Sequence, residues 1–84
     1  MDRGAAKVMA GLEWSNEYVH TLTKRELEMF KLVGLGMTNR EIGQNMGVRQ
    51  STVRTWAKTI HDKLYIVGRA RLAIVSNRMF YKEE

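Results

Sequence analysis

Three hydrogen-bonding side chains lie close together in the second half of the chain. Arg54, Thr55 and Lys58 fall within one short segment, and no acidic residue occurs between Arg49 and His61. A guanidinium and an ammonium group donate hydrogen bonds and accept none. The segment therefore predicts contact with acceptor groups, such as phosphate oxygens or the edges of nucleic-acid bases.

A helix over residues 50–64 has to present these side chains. One apolar stripe recurs at helical spacing, formed by Val53, Ala57, Ile60 and Leu64. Rotation by about 100° per residue places a polar set on the opposite side, namely Ser51, Thr55, Lys58, Thr59 and Asp62. Arg54 and Trp56 lie on the two flanks. A solvated outer face is the plain alternative, and the lack of acid near the start of the helix argues against it.

Helix starts and stops divide the rest of the chain. Thr23 with Glu26, and Thr38 with Glu41, have the spacing of capping boxes. An apolar pair brackets each of the four starts as a hydrophobic staple: Leu22 and Leu27, Met37 and Ile42, Val48 and Val53, Val67 and Leu72. Gly36 and Gly47 stand where helices end in a left-handed residue. These signals predict helices over 24–35, 39–46, 50–64 and 69–80.

The predicted fold is an all-α four-helix bundle with a short N-terminal extension. We place the extension at 1–20, partly helical (5–12) or loose, and the domain at 21–84. Trp14, Tyr18 and Val19 are predicted to anchor the extension on the domain. The short second helix joins the third through Gly47, Val48 and Arg49, which predicts a central helix-turn-helix.

A helix-turn-helix places its second helix in the DNA major groove. Long donors such as Arg54 and Lys58 can then reach guanine O6 and N7, and Thr55 can contact a thymine methyl group. Phosphate contacts are expected from a second set of residues, most of them around the helix starts: Thr38, Asn39, Arg40, Arg49, Gln50, Ser51, Thr52 and, near the end of the third helix, Lys63. The alternative for each is a plain solvated side chain. Arg25 is a further candidate.

Composition agrees with this interpretation. The 84 residues carry a net charge of +5, which suits a polyanionic partner. The absence of cysteine excludes disulfides and thiolate metal sites. His20 and His61 stand far apart, and we find no carboxylate pair in an obvious pocket and no glycine-rich phosphate loop, so we expect neither an enzyme nor a cofactor or metal. No apolar run approaches the length of a membrane span, and we expect a cytoplasmic protein that does not bind membranes.

Several of these segments together resemble the DNA-binding domain of the LuxR/FixJ/NarL family of bacterial transcription regulators. The similar segments are residues 22–28, 36–42, 51–54, Lys63-Leu64 and Arg69. The resemblance covers about three quarters of the chain. It implies a four-helix domain that binds inverted-repeat promoter sites as a dimer and reads bases from Arg54, Thr55 and Lys58.

The chain departs from the family pattern at four positions. Arg49 replaces the usual capping serine, and Trp56 stands where histidine is common. Tyr65 replaces a glycine, so we expect a reshaped corner because tyrosine disfavours the left-handed conformation. Gly43 replaces an alanine within a helix. Members of the family usually carry an N-terminal receiver or ligand-binding domain as well. We expect this domain to stand alone, with a piece of a longer regulator as the alternative.

The fourth helix is apolar on two sides, which predicts that it is buried twice. Leu72, Val75 and Met79 form the inward stripe. Ala70, Ile74 and Tyr81 form the second stripe, which we expect to be the interface of a two-fold homodimer; cover by the N-terminal segment is the alternative. An adaptor or anti-activator that binds RNA polymerase or another regulator through the same fold stays open as the rival function.

Overall fold

The computed structural model describes residues 17–81, and these residues form the predicted all-α bundle. Helix α1 spans Lys24–Gly34, α2 Asn39–Met46, α3 Gln50–Leu64 and α4 Arg69–Phe80, after a short 3-10 turn at Val19–Thr21. The four predicted helices are confirmed, with α1 ending at Gly34. The helix expected within 5–12 and the anchor Trp14 lie outside the described residues.

The helix boundaries have the expected physical causes. Both capping boxes form: the backbone N–H of Thr23 donates to Glu26 Oε1 at 2.8 Å, and that of Thr38 donates to Glu41 Oε1 at 2.8 Å. Gly47 closes α2 at φ 70°, a left-handed conformation that glycine adopts without steric cost. These local bonds define where α1 and α2 start.

The core lies where the four helices meet. The apolar stripe of α3 is buried as predicted, and it packs mainly on α1 and α2. The buried apolar residues are Met29, Phe30, Val33, Ile42, Val53, Ala57, Ile60, Leu64, Ile66, Leu72 and Val75. Tyr18 and Val19 are half-buried against this cluster, so both act as the predicted anchors. The apolar face of α3 is thus packed in the core, and its polar face points outward.

Helices α1 and α4 approach each other closely at Gly34. Ser76 is fully buried beside it and donates a hydrogen bond from Oγ to the Phe30 carbonyl at 2.6 Å. A Cβ atom at Gly34 would lie 2.8 Å from Ser76 Cβ and 2.9 Å from the Asn77 backbone nitrogen. Sequence patterning did not single out Gly34 or Ser76, because neither adds to an apolar stripe.

The corner between α3 and α4 corrects two expectations. Tyr65 does adopt the left-handed conformation, at φ 57°, so the corner is not reshaped. Its ring packs on Tyr18 with centroids 5.1 Å apart, and the backbone N–H groups that follow α3 bond to the His61 carbonyl. The staple at α4 is also wrong, because Val67 is 89% exposed while Ile66 turns into the core.

Candidate nucleic-acid interface

The turn between α2 and α3 is tight and rigid. The Val48 backbone N–H donates to the Gly43 carbonyl at 2.9 Å, and Gly47 donates to the same oxygen. A Cβ atom at Gly43 would lie 2.8 Å from the Val48 carbonyl oxygen. Gly43 therefore permits a close approach of the turn to α2, which explains a glycine at this position within the helix.

The outward face of α3 carries the three base-reading candidates. Arg54, Thr55 and Lys58 are all exposed, whereas Val53 and Ala57 on the other side are buried. The Thr55 hydroxyl donates to the Ser51 carbonyl at 3.2 Å, within the same helix. Because that hydroxyl hydrogen is used within the helix, Thr55 keeps a methyl group and oxygen lone pairs for an approaching ligand.

Most phosphate-contact candidates lie near the two helix starts. Thr38, Arg40, Arg49, Gln50 and Ser51 are exposed, and the side chains of Arg40 and Arg49 border one shallow concavity at the turn. Asn39 and Thr52 are half-buried. The helix-turn-helix thus brings polar and basic groups from α2 and α3 to one side of the domain.

The start of α3 has no side-chain cap. Arg49 occupies the N-cap position with extended backbone, makes no capping hydrogen bond, and is followed by a first turn without acid. A helix N-terminus carries partial positive charge from its free amide groups. The sequence prediction of a lost cap is confirmed, and the potential at this end of α3 is positive from both backbone and side chains.

Lys63 is engaged inside the domain. Its ammonium donates to Glu26 Oε1 at 2.8 Å and to the Thr21 carbonyl at 3.2 Å. Glu26 itself is buried. The ion pair links the far end of α3 to the start of α1, so we assign Lys63 a structural role and omit it from the phosphate-contact set proposed below.

The carboxyl group of Glu26 has a perturbed proton affinity. Burial raises its pKa, but the hydrogen bonds from Lys63 and Thr23 and the charge of Lys63 outweigh that effect, and the net pKa lies below its ordinary value of 4.5. Glu41 also has a lowered pKa, because the backbone and side chain of Thr38 both stabilise its carboxylate. Both carboxyl groups therefore stay ionised to a lower pH in the folded chain than in the unfolded chain.

The free energy of unfolding is expected to fall in acid. A lowered folded-state pKa means that the unfolded chain binds more protons, so the stabilisation is complete above the unfolded-state pKa and is lost as pH falls through the folded-state value. We expect Glu26→Gln to cost about 1–3 kcal/mol at neutral pH and to flatten this pH dependence. Urea unfolding between neutral pH and pH 3 measures both, and an unchanged acid slope in the variant would exclude Glu26 as its source.

Two arginines that lie outside α2 and α3 donate hydrogen bonds to the two ends of α2. The sequence alone predicts neither contact. Arg25 donates to the Met46 carbonyl at the end of α2 at 3.1 Å, and its guanidinium lies 5.6 Å from the ring centroid of the half-buried Trp56. Arg69 bonds to the start of α2. Such long-range contacts leave no periodic signal in a single sequence.

Two further features are absent from the residues that the structure describes. Between residues 17 and 81 there is no cluster of three or more histidine, cysteine or acidic side chains that could hold a metal ion. None of the helices in the same range has the length and apolarity needed to cross a membrane. The face built from α2, the turn and α3 carries the polar and basic groups described above.

Comparison with known proteins gives consistent matches. A family model for bacterial regulatory proteins of the luxR family matches residues 20–76. The transcriptional regulatory protein LiaR of Bacillus subtilis is 38% identical over 77 residues, which are 88% of this chain and 36% of that protein. The nitrate/nitrite response regulator protein NarL of Escherichia coli K12 is 29% identical over 70 residues, 83% of this chain and 32% of that protein.

A shorter protein is also similar to this chain. The spore germination protein GerE of Bacillus subtilis is 34% identical over 58 residues, which are 69% of this chain and 78% of that protein. By contrast, the chain spans about a third of the length of LiaR and NarL. The similarity thus extends over the helical bundle and the helix-turn-helix described above.

Proposed function

This chain belongs to the luxR family of bacterial regulatory proteins, and from that premise we propose that it regulates transcription by binding specific DNA sequences with α3 in the major groove. Arg54, Thr55 and Lys58 read base edges. Thr38, Asn39, Arg40, Arg49, Gln50, Ser51 and Thr52 contact the sugar-phosphate backbone. Residues 21–84 are the DNA-binding domain in this proposal, and 1–20 are an extension of it.

The observation that supports this most is the composition of the outward face of α3. Arg54 and Lys58 are exposed on a helix whose opposite face is fully buried, and the first turn of that helix lacks acid and a side-chain cap. A rigid helix with long donors and positive potential matches the acceptor-rich major groove. Phosphate contacts from the start of α2 fix the register of such a helix on the duplex.

Selection of genomic fragments tests the proposal. The purified chain is mixed with sheared bacterial DNA, bound fragments are sequenced, and affinity for the enriched site is measured at several salt concentrations. We expect one enriched motif, and log affinity that falls with log salt by about 0.9 for each phosphate contact. If no DNA motif is enriched, and the chain instead binds another protein with an affinity that does not change with salt, the result would favour the adaptor that binds RNA polymerase or another regulator.

The exposed side of α4 supports dimeric binding to inverted repeats. Ile74 is 50% exposed and Ala70 is also exposed, as an interface between two copies requires. Tyr81 fits less well, because it follows the end of α4 and its hydroxyl donates to the Lys31 carbonyl of the same chain at 2.8 Å. We therefore centre the proposed two-fold seam on Ala70 and Ile74.

Ile74→Glu is expected to abolish self-association without unfolding the chain. In a two-fold interface centred on this position, the carboxylates of the two copies face each other in apolar surroundings. The repulsion between these like charges strongly disfavours the dimer. Sedimentation with and without DNA measures the mass, and circular dichroism checks the helices. Lys24→Glu, at an exposed residue of α1, is the control for added acid. A variant that still binds both half-sites as a dimer would place the seam elsewhere.

A further inference from the structure

Arg69 makes an unusual pair of contacts for a surface arginine. It begins α4, yet its guanidinium donates to Asn39 Oδ1 at 2.6 Å and to the Met37 carbonyl at 2.8 Å, both at the start of α2. Within residues 17–81 it forms no ion pair with a carboxylate. Desolvation by partial burial lowers its pKa. The cation thus bonds to two neutral acceptors beside the predicted DNA face.

The contact with Arg69 determines which end of the Asn39 amide faces outward. A guanidinium has donors only, so it can bond to Oδ1 and not to Nδ2. The Nδ2 group is therefore left for another partner, and it donates to no acceptor inside the described bundle. Asn39 is half-exposed at the first position of α2, next to the exposed Arg40.

We propose that Arg69 is a positioning residue for DNA binding, which orients the Asn39 side chain so that Nδ2 donates to a backbone phosphate oxygen. This inference rests on the proposed function. A phosphate oxygen is an acceptor, so only the Nδ2 end of the amide can serve it. Without Arg69 the amide can rotate, and the Oδ1 end would then repel the phosphate.

The bond to Met37 strengthens the same arrangement. The Met37 carbonyl immediately precedes the cap residue Thr38, and one guanidinium binds both this oxygen and Asn39. Because the guanidinium is planar and its donors are in fixed geometry, the two bonds orient the Asn39 side chain relative to the backbone at the start of α2. Arg69 therefore acts through α2 and does not need to touch the DNA.

Asn39→Asp separates this role from a structural one. The carboxylate can still accept from Arg69, so we expect an unfolding temperature equal to or above that of the wild type. The donor is lost, however, and we expect affinity for a labelled duplex carrying the selected site to fall about tenfold or more.

Arg69→Met tests the coupling between the two residues. We expect the variant to lose DNA affinity to the same extent as Asn39→Ala, and the double variant to lose little more, because both changes remove one donor contact. Arg69→Lys should restore part of the affinity, since an ammonium can also donate to Oδ1. Arg78→Met removes the same charge from the exposed last turn of α4 and should leave affinity within about twofold.

Several outcomes would overturn the proposal. Unchanged affinity of Asn39→Asp does so, and so do additive losses for Arg69→Met and Asn39→Ala, which would mean that Arg69 acts independently. If Arg69→Met is unfolded, Arg69→Lys takes its place in the comparison with Asn39→Ala, and additive losses of affinity again overturn the proposal. Failure of the wild-type chain to bind any DNA overturns the proposed function together with this inference, whereas wild-type binding with unaffected variants overturns only the inference.

Discussion

Replacing Arg54 and Lys58 together by alanine is expected to weaken binding to the selected DNA site by about 2–6 kcal/mol, the sum of about 1–3 kcal/mol for each base contact. Both side chains are exposed on the outer face of α3 and make no hydrogen bond to the rest of the described chain. The variant should therefore keep its unfolding temperature. Fluorescence anisotropy with the selected duplex and with a scrambled duplex measures the loss on each.

The distribution of that loss over sequences separates base reading from simple charge. Base contacts give specificity, so we expect a large loss on the selected duplex and a much smaller loss on the scrambled one. Lys24→Ala with Lys31→Ala removes two cations from α1 and serves as the matched control. Equal losses on both duplexes would assign Arg54 and Lys58 to the phosphate backbone and leave the base readers unidentified.

Gly34→Ala is expected to destabilise the fold by about 2–4 kcal/mol, from overpacking and a weakened buried hydrogen bond. The new Cβ atom would collide with Ser76 and with the Asn77 backbone, where α1 and α4 cross. Moving Ser76 would disturb its hydrogen bond to the Phe30 carbonyl. In a domain of this size such a loss lowers the unfolding temperature by about 8 °C or more, as calorimetry would show.

Two further variants identify the cause. Ser76→Gly combined with Gly34→Ala should recover part of the lost stability, because it removes the side-chain atoms that the new Cβ meets. Gly36→Ala is the matched control, since its positive φ of 83° strains a Cβ although nothing lies within 4 Å. Its cost should not respond to Ser76→Gly. A Gly34 variant that the Ser76 change fails to rescue would place the strain in the backbone.

Local rules predicted most of the helices. Capping boxes at Thr23 and Thr38 and the left-handed glycine at Gly47 act within a few residues, so one sequence contains the whole of each signal. The apolar stripe of α3 is equally local, because its period follows from helix geometry. The outward placement of Arg54, Thr55 and Lys58 then follows from the burial of Val53 and Ala57 on the opposite side.

Local sequence signals are misleading where distant residues decide the conformation. The side chain of Tyr65 disfavours the left-handed conformation, yet the residue adopts it, with its ring packed on Tyr18 and two backbone bonds to the His61 carbonyl. Val67 was expected to form a staple, but the corner turns Ile66 inward instead. Lys63 had the charge for a phosphate contact, but Glu26, 37 residues away, binds it.

The sequence alone therefore predicts the outer face of α3, because amphipathic periodicity is a property of neighbouring residues. The sequence alone does not predict the long-range contacts that support this face. The Ser76 contact at Gly34, the Arg25 bond to the end of α2 and the Arg69 bonds to its start join residues 21 to 46 positions apart. Such pairings depend on how the helices cross, and only the tertiary structure determines the crossing.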